Sequence, residues 1–491
     1  MDIRKKRQHI LLITLLLISL NVFAQETKSA KSEQALPDVK TLLLSYVEND
    51  SELKNLTLTA KKTALSYQST LIDNGFDITL STGNVTIRAN KDGKTISAKP
   101  SVKATIPQAS NLSLTGQANL NSSNSNSIIS DTSFSLGVDI ISSATAANKI
   151  TLLKAERSVI EAQRKIEKRA IEVEKEFYTS LKSILSSINS IMTKKETLYN
   201  DTLDFEAKKA QGYSTVSSTY RQAELKVISD QHEIESAIHS FIYDCTVFYK
   251  KCGYDIQIDE NTELMHFVPF GIEEVEPKDV KSLDKELYSQ IESAKWTYSI
   301  NSMERGAKKT YSLTANAGYT FDNTTTKSNS VDAGVSGTIG GLTLGAEVSV
   351  PAGGTKADSS PAITLSASIN PNTFRKNEIT KQQNGLTEQQ ELLAIETAQA
   401  DYETKVVELQ QKLSSLMWEK ESIEKSISLY EDLEKDMSKL YKQGYVTEND
   451  YLAAKNSLNS NIIKRISNRI DLIIYNDEVV SNFVNQKFEI K

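Results

Sequence analysis

The sequence predicts an α+β protomer built as a tandem repeat, each half running helix, strands, long helix, glycine tip, helix. Three observations carry this. A Gln-Gly-Tyr motif ends a long apolar-periodic stretch twice, at Gln211-Gly212-Tyr213 and Gln443-Gly444-Tyr445. Period-two alternation fills residues of about 76–142 and about 310–370. The stretch after each strand block lacks proline and carries apolar residues seven apart, the spacing of helices packed on helices.

The N-terminus places the chain in the export route. Arg4, Lys5, Lys6 and Arg7 precede an apolar run from Ile10 to Leu20, and Val22-Phe23-Ala24 supplies small residues for cleavage. Residues 1–24 read as a signal peptide, because the run falls short of the roughly 20 residues a membrane span needs. The whole chain has a net charge of −6, and losing the basic leader makes it more acidic, which argues against a nucleic-acid partner.

Taken in order, residues 25–252 form the first repeat. Pro37 and the spacing of Leu42, Leu43, Val47 and Leu53 predict a helix over 37–72, closed by Gly75. Alternation follows at Phe76, Ile78 and Leu80, at Val85, Ile87 and Ala89, at Leu112 to Leu120, and at Phe134 to Ile140. Asp92-Gly93 is a hairpin signal, and the Ser/Asn-rich run Asn121–Ser130 predicts an exposed loop. Phe177, Ile184, Ile191, Leu198 and Phe205 then lie seven apart, as do Tyr220, Val227, Ile234, Phe241 and Phe248 beyond the tip near 212. A helix of about 65 residues would be near 100 Å long.

Residues 253–279, with Pro269 and Pro277, read as a connector. The second repeat, 280–491, restates the plan: a helix over 280–306, strands marked by Tyr311–Tyr319, Val331–Val335, Leu342–Val350 and Ile363–Ile369, and a turn at Gly340-Gly341. Another Thr/Ser/Asn loop is expected at Asp322–Ser330. Tyr402, Leu409, Leu416, Ile423, Tyr430 and Met437 give the heptads that lead to the tip near 444. Cys245 and Cys252 bridge only if the helix stops near Lys250, and otherwise stand as two half-buried thiols.

Each strand is apolar on one face only, which demands a core, a partner sheet or lipid. In an exported chain such alternation is the signature of an outer-membrane barrel. A barrel in lipid must close, and a few strands enclose a wide pore most simply when several identical chains share them. Helices on one side of the membrane require an even number of crossings per half, and each half offers about four strands.

On these features the chain resembles the TolC-like outer membrane factor family. The marks are the paired tips, above all Gly444 followed by Asp450, Tyr451 and Ala454, with Asn49-Asp50-Ser51-Glu52-Leu53 in the first helix. The resemblance implies a homotrimer: a trimeric outer-membrane β-barrel in outer-membrane lipid, joined to a long periplasmic α-helical coiled-coil barrel. It implies an exit duct for efflux or type I secretion, located in the outer membrane with a large periplasmic portion. Its partners would be a periplasmic adaptor protein and an inner-membrane transporter. Departures from the family pattern are Ser51 in place of Pro, one extra residue between Gly212 and Ala223, and Ala453 where a second aperture acid would stand. Strands per protomer, four or eight, stay open, as do the cargo, the energy source of the pump and the gating trigger.

The resemblance places Asp450 and Tyr441 at the periplasmic aperture, with Glu448 beside them. One carboxylate from each of three chains would form an anionic ring that favours cations; the plainer reading is a pair of acids favoured by a helix N-terminus. Gly212, Tyr213, Gly444, Tyr445 and Val446 are the expected hairpin tips and adaptor docking residues. Tyr311, Tyr319 and Phe321 suit an aromatic girdle, whereas Trp296 and Trp418 read as packing residues. No catalytic, cofactor or metal site is expected. His232 and His239 sit seven apart on one helix face, His266 stands alone, and Gly353-Gly354-Thr355-Lys356 lacks the spacing of a phosphate loop. The rival reading is an exported coiled-coil surface or structural protein whose strands form a soluble β-sandwich.

Overall fold

The computed structural model describes residues 37–488 apart from 84–85, 91–92, 108–110, 124–125, 142–143, 257, 259–263, 265–270, 309–310, 323–328 and 354–359. The signal peptide expected at 1–24 lies outside the described residues, as do Val85, Asp92, His266, Pro269 and the last three residues of the Gly353–Lys356 run. Met1–Asp38 separates from Val39–Lys491, and the architecture below is that of the second unit.

The helix expected over 37–72 is two helices, α1 (Val39–Asn49) and α2 (Ser51–Asp73). Asp50 breaks them. Its carboxylate accepts the Leu53 amide at 2.5 Å as the N-cap of α2, which a continuous helix could not offer. Arg169 holds the same carboxylate at 2.7 Å. The Asn49–Leu53 motif is therefore a cap docked on the next long helix.

That helix, α3 (Ala144–Ala210, 67 residues), turns at the first tip into α4 (Ser218–Lys251). After the connector come α5 (Ser289–Ala307), α6 (Pro371–Lys442, 72 residues) and α7 (Glu448–Ser481). The heptad residues meet as the spacing requires. Phe177, Ile184, Ile191, Ile234, Phe241 and Phe248 are buried between α3 and α4, and Phe205 meets Tyr220 edge to face near the tip, with ring centroids 5.1 Å apart. Leu409 and Leu416 pack on Leu472, Tyr475 and Val479 of α7, under Val280 in the short 3-10 turn Val280–Ser282 that precedes α5. Cys245 and Cys252 are buried free thiols, because α4 runs on to Lys251. Burial pushes both up to about 12. Trp296 packs beside Ile150, Leu153 and Ile300. Trp418 does not pack: it is 72% exposed on the outer side of α6, since the buried seam of that helix runs through Leu409, Leu416 and Ile423.

The strands form one antiparallel sheet of ten. They are β1 (Asp77–Ser81), β2 (Thr86–Asn90), β3 (Gly93–Ala98), β4 (Ser101–Ile106), β5 (Leu112–Ser123), β6 (Asn126–Ile141), β7 (Tyr311–Asp322), β8 (Asn329–Ile339), β9 (Leu342–Pro351) and β10 (Ala362–Ile369). The unbroken path runs β1-β4-β5-β6-β7-β8-β9-β10, four strands from each half, while β2 and β3 form a hairpin on the far part of β5. The loop expected at Asn121–Ser130 is mostly strand: Asn121 pairs with Ile128, Ser122 with Ser127 and Ser123 with Asn126. Its composition is polar, and hairpin pairing satisfies its backbone all the same.

Candidate functional site

The pairing register stacks the alternating residues into two chemically opposite faces. One row across the sheet reads Ile78, Ala104, Leu114, Leu136, Ala317, Ala333, Val348, Ile363. The adjacent row on the other face reads Asp77, Thr105, Ser113, Gly137, Asn316, Gly334, Glu347, Thr364. The apolar face is exposed: Leu114 is 55%, Leu136 46%, Ile363 69% and Leu365 77% accessible. No hydrophobic cluster among the described residues draws on it. Such a face carries a large hydrophobic cost in water and none in hydrocarbon.

The dimensions of that face suit a bilayer. On β7 it runs from Tyr311 to Phe321, about 34 Å of strand, which at a tilt near 40° gives a band of about 26 Å. Tyr311 stands at one end, and Tyr319 and Phe321 at the other, beside Phe134 on β6. All four junctions between strands and long helices lie at one end of the sheet. The connections there are short: Gly340-Gly341 joins β8 to β9, and residues 107–111 join β4 to β5. The ends of β7 and β9 and the starts of β8 and β10, between which the chain is longer, are at the opposite end.

Two further apolar stripes stand unpaired on the helices that adjoin the sheet edges. Leu58, Leu65 and Ile72 repeat every seven residues on α2, which leads into β1, and all are exposed. Ile379, Leu386, Leu393 and Val407 keep heptad positions on α6, which follows β10, and are exposed as well. Neither stripe is legible as such in the sequence, since an exposed heptad looks the same as a buried one until the neighbouring helices are placed.

At the far end of the helices the two tips are built alike. Gly212 has φ +79° and Gly444 φ +76°. In each, the glycine amide and the amide after it turn back to the last carbonyls of the helix, Gly444 to Tyr441 at 2.9 Å and Tyr445 to Leu440 at 2.9 Å. A Cβ at either glycine would meet nothing within 4 Å, so backbone conformation alone requires glycine there. Tyr213 and Tyr445 are exposed at the turn, and Val446 is half-buried.

Asp450 closes the second tip as part of a capping box. Its carboxylate accepts the Thr447 hydroxyl at 2.6 Å and the Thr447 amide at 3.2 Å, while its own amide donates to the Thr447 hydroxyl. Those Thr447 donors hold the exposed carboxyl below the usual carboxylate range. Tyr441 stacks on Tyr451, with centroids 5.4 Å apart and planes 7° apart. Glu448 accepts a hydrogen bond from Tyr199 of α3 at 3.4 Å, and Asn456 donates to Glu196 at 3.1 Å. Tyr199 and Glu196 were not legible as tip residues, because they lie far from the tip in sequence and meet it only through helix packing. Asp450, Glu448 and Tyr441 therefore share one tip, while Gly212 and Tyr213 occupy the other.

Comparison with known proteins divides the chain in two. Residues 42–272 match the TP096X N-terminal domain, and residues 273–486 match the TP096X C-terminal domain. No curated protein matches the sequence. Among solved structures, the chain is similar to the MtrE outer membrane channel of Neisseria gonorrhoeae at 14% identity and a TM-score of 0.47, covering 94% of this chain and 95% of that one. It is also similar to the outer membrane protein VceC of Vibrio cholerae, at 13% identity and a TM-score of 0.46 over 91% and 97% of the two chains. The CmeC outer membrane channel of Campylobacter jejuni follows at 12% and 0.45, over 95% and 92%.

Proposed function

The chain carries the TP096X N-terminal and C-terminal domains in tandem, and from that premise we propose that it is a TolC-like outer-membrane exit duct. Three copies close one barrel in the outer membrane. Their long helices continue it as a tunnel across the periplasm, and substrates pass through passively. The observation that carries this reading is the sheet, with one face continuously apolar and exposed, the other polar, and every long helix leaving from the same end. A soluble sandwich would need a second layer over that face.

The exposed stripes on α2 and α6 support the assembly, since each supplies heptad-spaced apolar residues and meets no partner among the described residues. The tips point away from the membrane. Tyr213, Tyr445 and Val446 there offer apolar contact to a periplasmic adaptor, which links the duct to an inner-membrane transporter of an efflux or type I secretion system. Asp450 from each copy forms the anionic aperture, with Glu448 and Tyr441 beside it. The reading assigns the energy for transport to the partner.

Fractionation and native gels test the reading. The full chain is expected in the outer membrane, extractable only with detergent, as a heat-modifiable trimer that captures a periplasmic adaptor through a photo-crosslinker at Tyr445. Release by salt or alkali without detergent would overturn it.

A further inference from the structure

Taking the trimeric duct as the starting point, we propose that its membrane section is a wall of 24 strands, as wide as the helical tunnel or wider, and that it passes bulky hydrophilic cargo of polypeptide size. The count comes from the unbroken path. Eight strands lie side by side in each copy, with open edges at β1 and β10. All neighbours are antiparallel, so with eight strands the two edges run in opposite directions, and β10 of one copy meets β1 of the next as another antiparallel pair. The faces also match at that joint: Ile78 and Leu80 on β1 and Ile363 and Leu365 on β10 belong to the same apolar side. The α2 and α6 stripes extend the joint below the sheet.

The register shows the lean that a closed barrel needs. The row from Ile78 enters β1 one residue from its helix-side end and leaves at Ile363, six residues before the helix-side end of β10. An offset of about 17 Å over about 34 Å of sheet is a lean of roughly 26°, somewhat below the usual tilt of about 35–45°. With tilts between about 26° and 45°, 24 strands give a backbone diameter of about 41–52 Å, where four strands per copy would give about 20–26 Å. Twelve helices abreast, α3, α4, α6 and α7 of each copy, form a ring of about 31–38 Å between axes.

The inner face adds little obstruction. Thr79, Thr105, Ser113, Thr115, Ser135 and Gly137 in the first half, like Asn316, Gly318, Gly334, Ser336 and Gly345 in the second, are short and uncharged. Lys103 and the acids Asp77, Asp139, Asp332 and Glu347 are scattered among them. Such a wall neither narrows the bore nor binds a passing polar chain strongly. Size selection then falls to the periplasmic tips.

Size-graded thiol labelling of the full-length protein tests this. Two variants are made, Ser135→Cys on the polar face and Leu136→Cys on the apolar face. The native thiols are buried, at 0% and 1% exposure. A small charged maleimide should label Ser135→Cys and leave Leu136→Cys unmodified in membranes. A maleimide carried on a folded miniprotein about 20 Å across should label Ser135→Cys as well, because a bore of about 30 Å or more admits it. Native mass spectrometry of the same sample should give three copies. Labelling by the small reagent alone, in a trimer, would overturn the wide wall while leaving the duct intact. Equal labelling of both variants by the small reagent, or a mass other than three copies, would instead refute the underlying membrane trimer.

Discussion

Arg157 and Glu292 meet in a two-pronged ion pair, Nη1 to Oε1 at 2.5 Å and Nη2 to Oε2 at 2.7 Å, that locks α3 of the first repeat to α5 of the second. Arg164 donates to the same carboxylate at 2.8 Å, and the Phe488 amide reaches it at 3.2 Å, so the C-terminal segment folds onto the clamp. Burial alone would raise the Glu292 carboxyl. The hydrogen bonds and charges of Arg157 and Arg164 outweigh it and hold the group at about 2.

The clamp predicts a sharp acid limit. The Glu292 pKa is depressed from 4.5 in the free group, so the stability it lends is complete above pH 4.5 and is lost as pH falls towards about 2. Glu292→Gln leaves Arg157 and Arg164 with only the more exposed Glu161 as counter-charge and should cost about 3 kcal/mol, the low end for a broken buried pair. Thermal melts from pH 7 to pH 3 check both statements. The variant should melt lower at pH 7, and its deficit should shrink as the wild-type clamp is protonated. A wild-type curve flat down to pH 3, with no deficit in the variant, would show that the clamp contributes nothing.

A second prediction concerns the tips. Because a Cβ at Gly444 meets open space, Gly444→Ala tests the positive φ alone. The expected penalty is about 1–2 kcal/mol, confined to the turn. Hydrogen exchange should accelerate at the Gly444 and Tyr445 amides, which close the helix end, and stay unchanged in the α3–α4 hairpin. Gly212→Ala should give the mirror result.

The parts of this fold that were legible in sequence are the periodic ones. Period-two alternation located the strand blocks and the seven-residue period the long hairpins, because burial on one face imposes the repeat directly. Single capping residues were harder. Asp50 splits the first helix through one carboxylate and its ion pair with Arg169, and no periodicity announces it. The polarity of Asn121–Ser130 predicts a loop, but hairpin pairing needs no apolar residue, and the stretch pairs as β5 and β6. At the candidate site, the glycines and the capping Asp450 were local and readable. Tyr199 on Glu448, and the exposed Leu58 and Leu386 stripes, depend on where distant helices come to lie.

The ring stack of Tyr441 on Tyr451 joins the last turn of α6 to the first of α7 across the tip. Such a pair is worth about 0.5–1.5 kcal/mol beyond its buried area. Tyr441→Ala and Tyr451→Ala should each loosen the tip, and the double variant should lose less than the sum of the two. Exchange rates of amides 445–451 in the four proteins give the coupling energy. Strict additivity would mean that the rings touch without supporting the turn.

The capping role of Asp450 and the aperture role proposed for it separate by substitution. As a cap, it needs only an acceptor for the Thr447 amide, which the side-chain oxygen of asparagine supplies. As a member of an anionic ring, it needs its charge. Asp450→Asn should therefore keep the tip amides protected but lower cation selectivity in single-channel recordings as far as Asp450→Ala does, while Asp450→Ala should also speed exchange at the start of α7. In the wild type the Thr447 donors hold the carboxyl below its ordinary value of 3.8, so cation selectivity should persist as bath pH falls to that value and fade only in more acid solution. If Asp450→Asn conducts with wild-type selectivity while Asp450→Ala alone changes it, the residue is a helix cap and the aperture charge lies elsewhere.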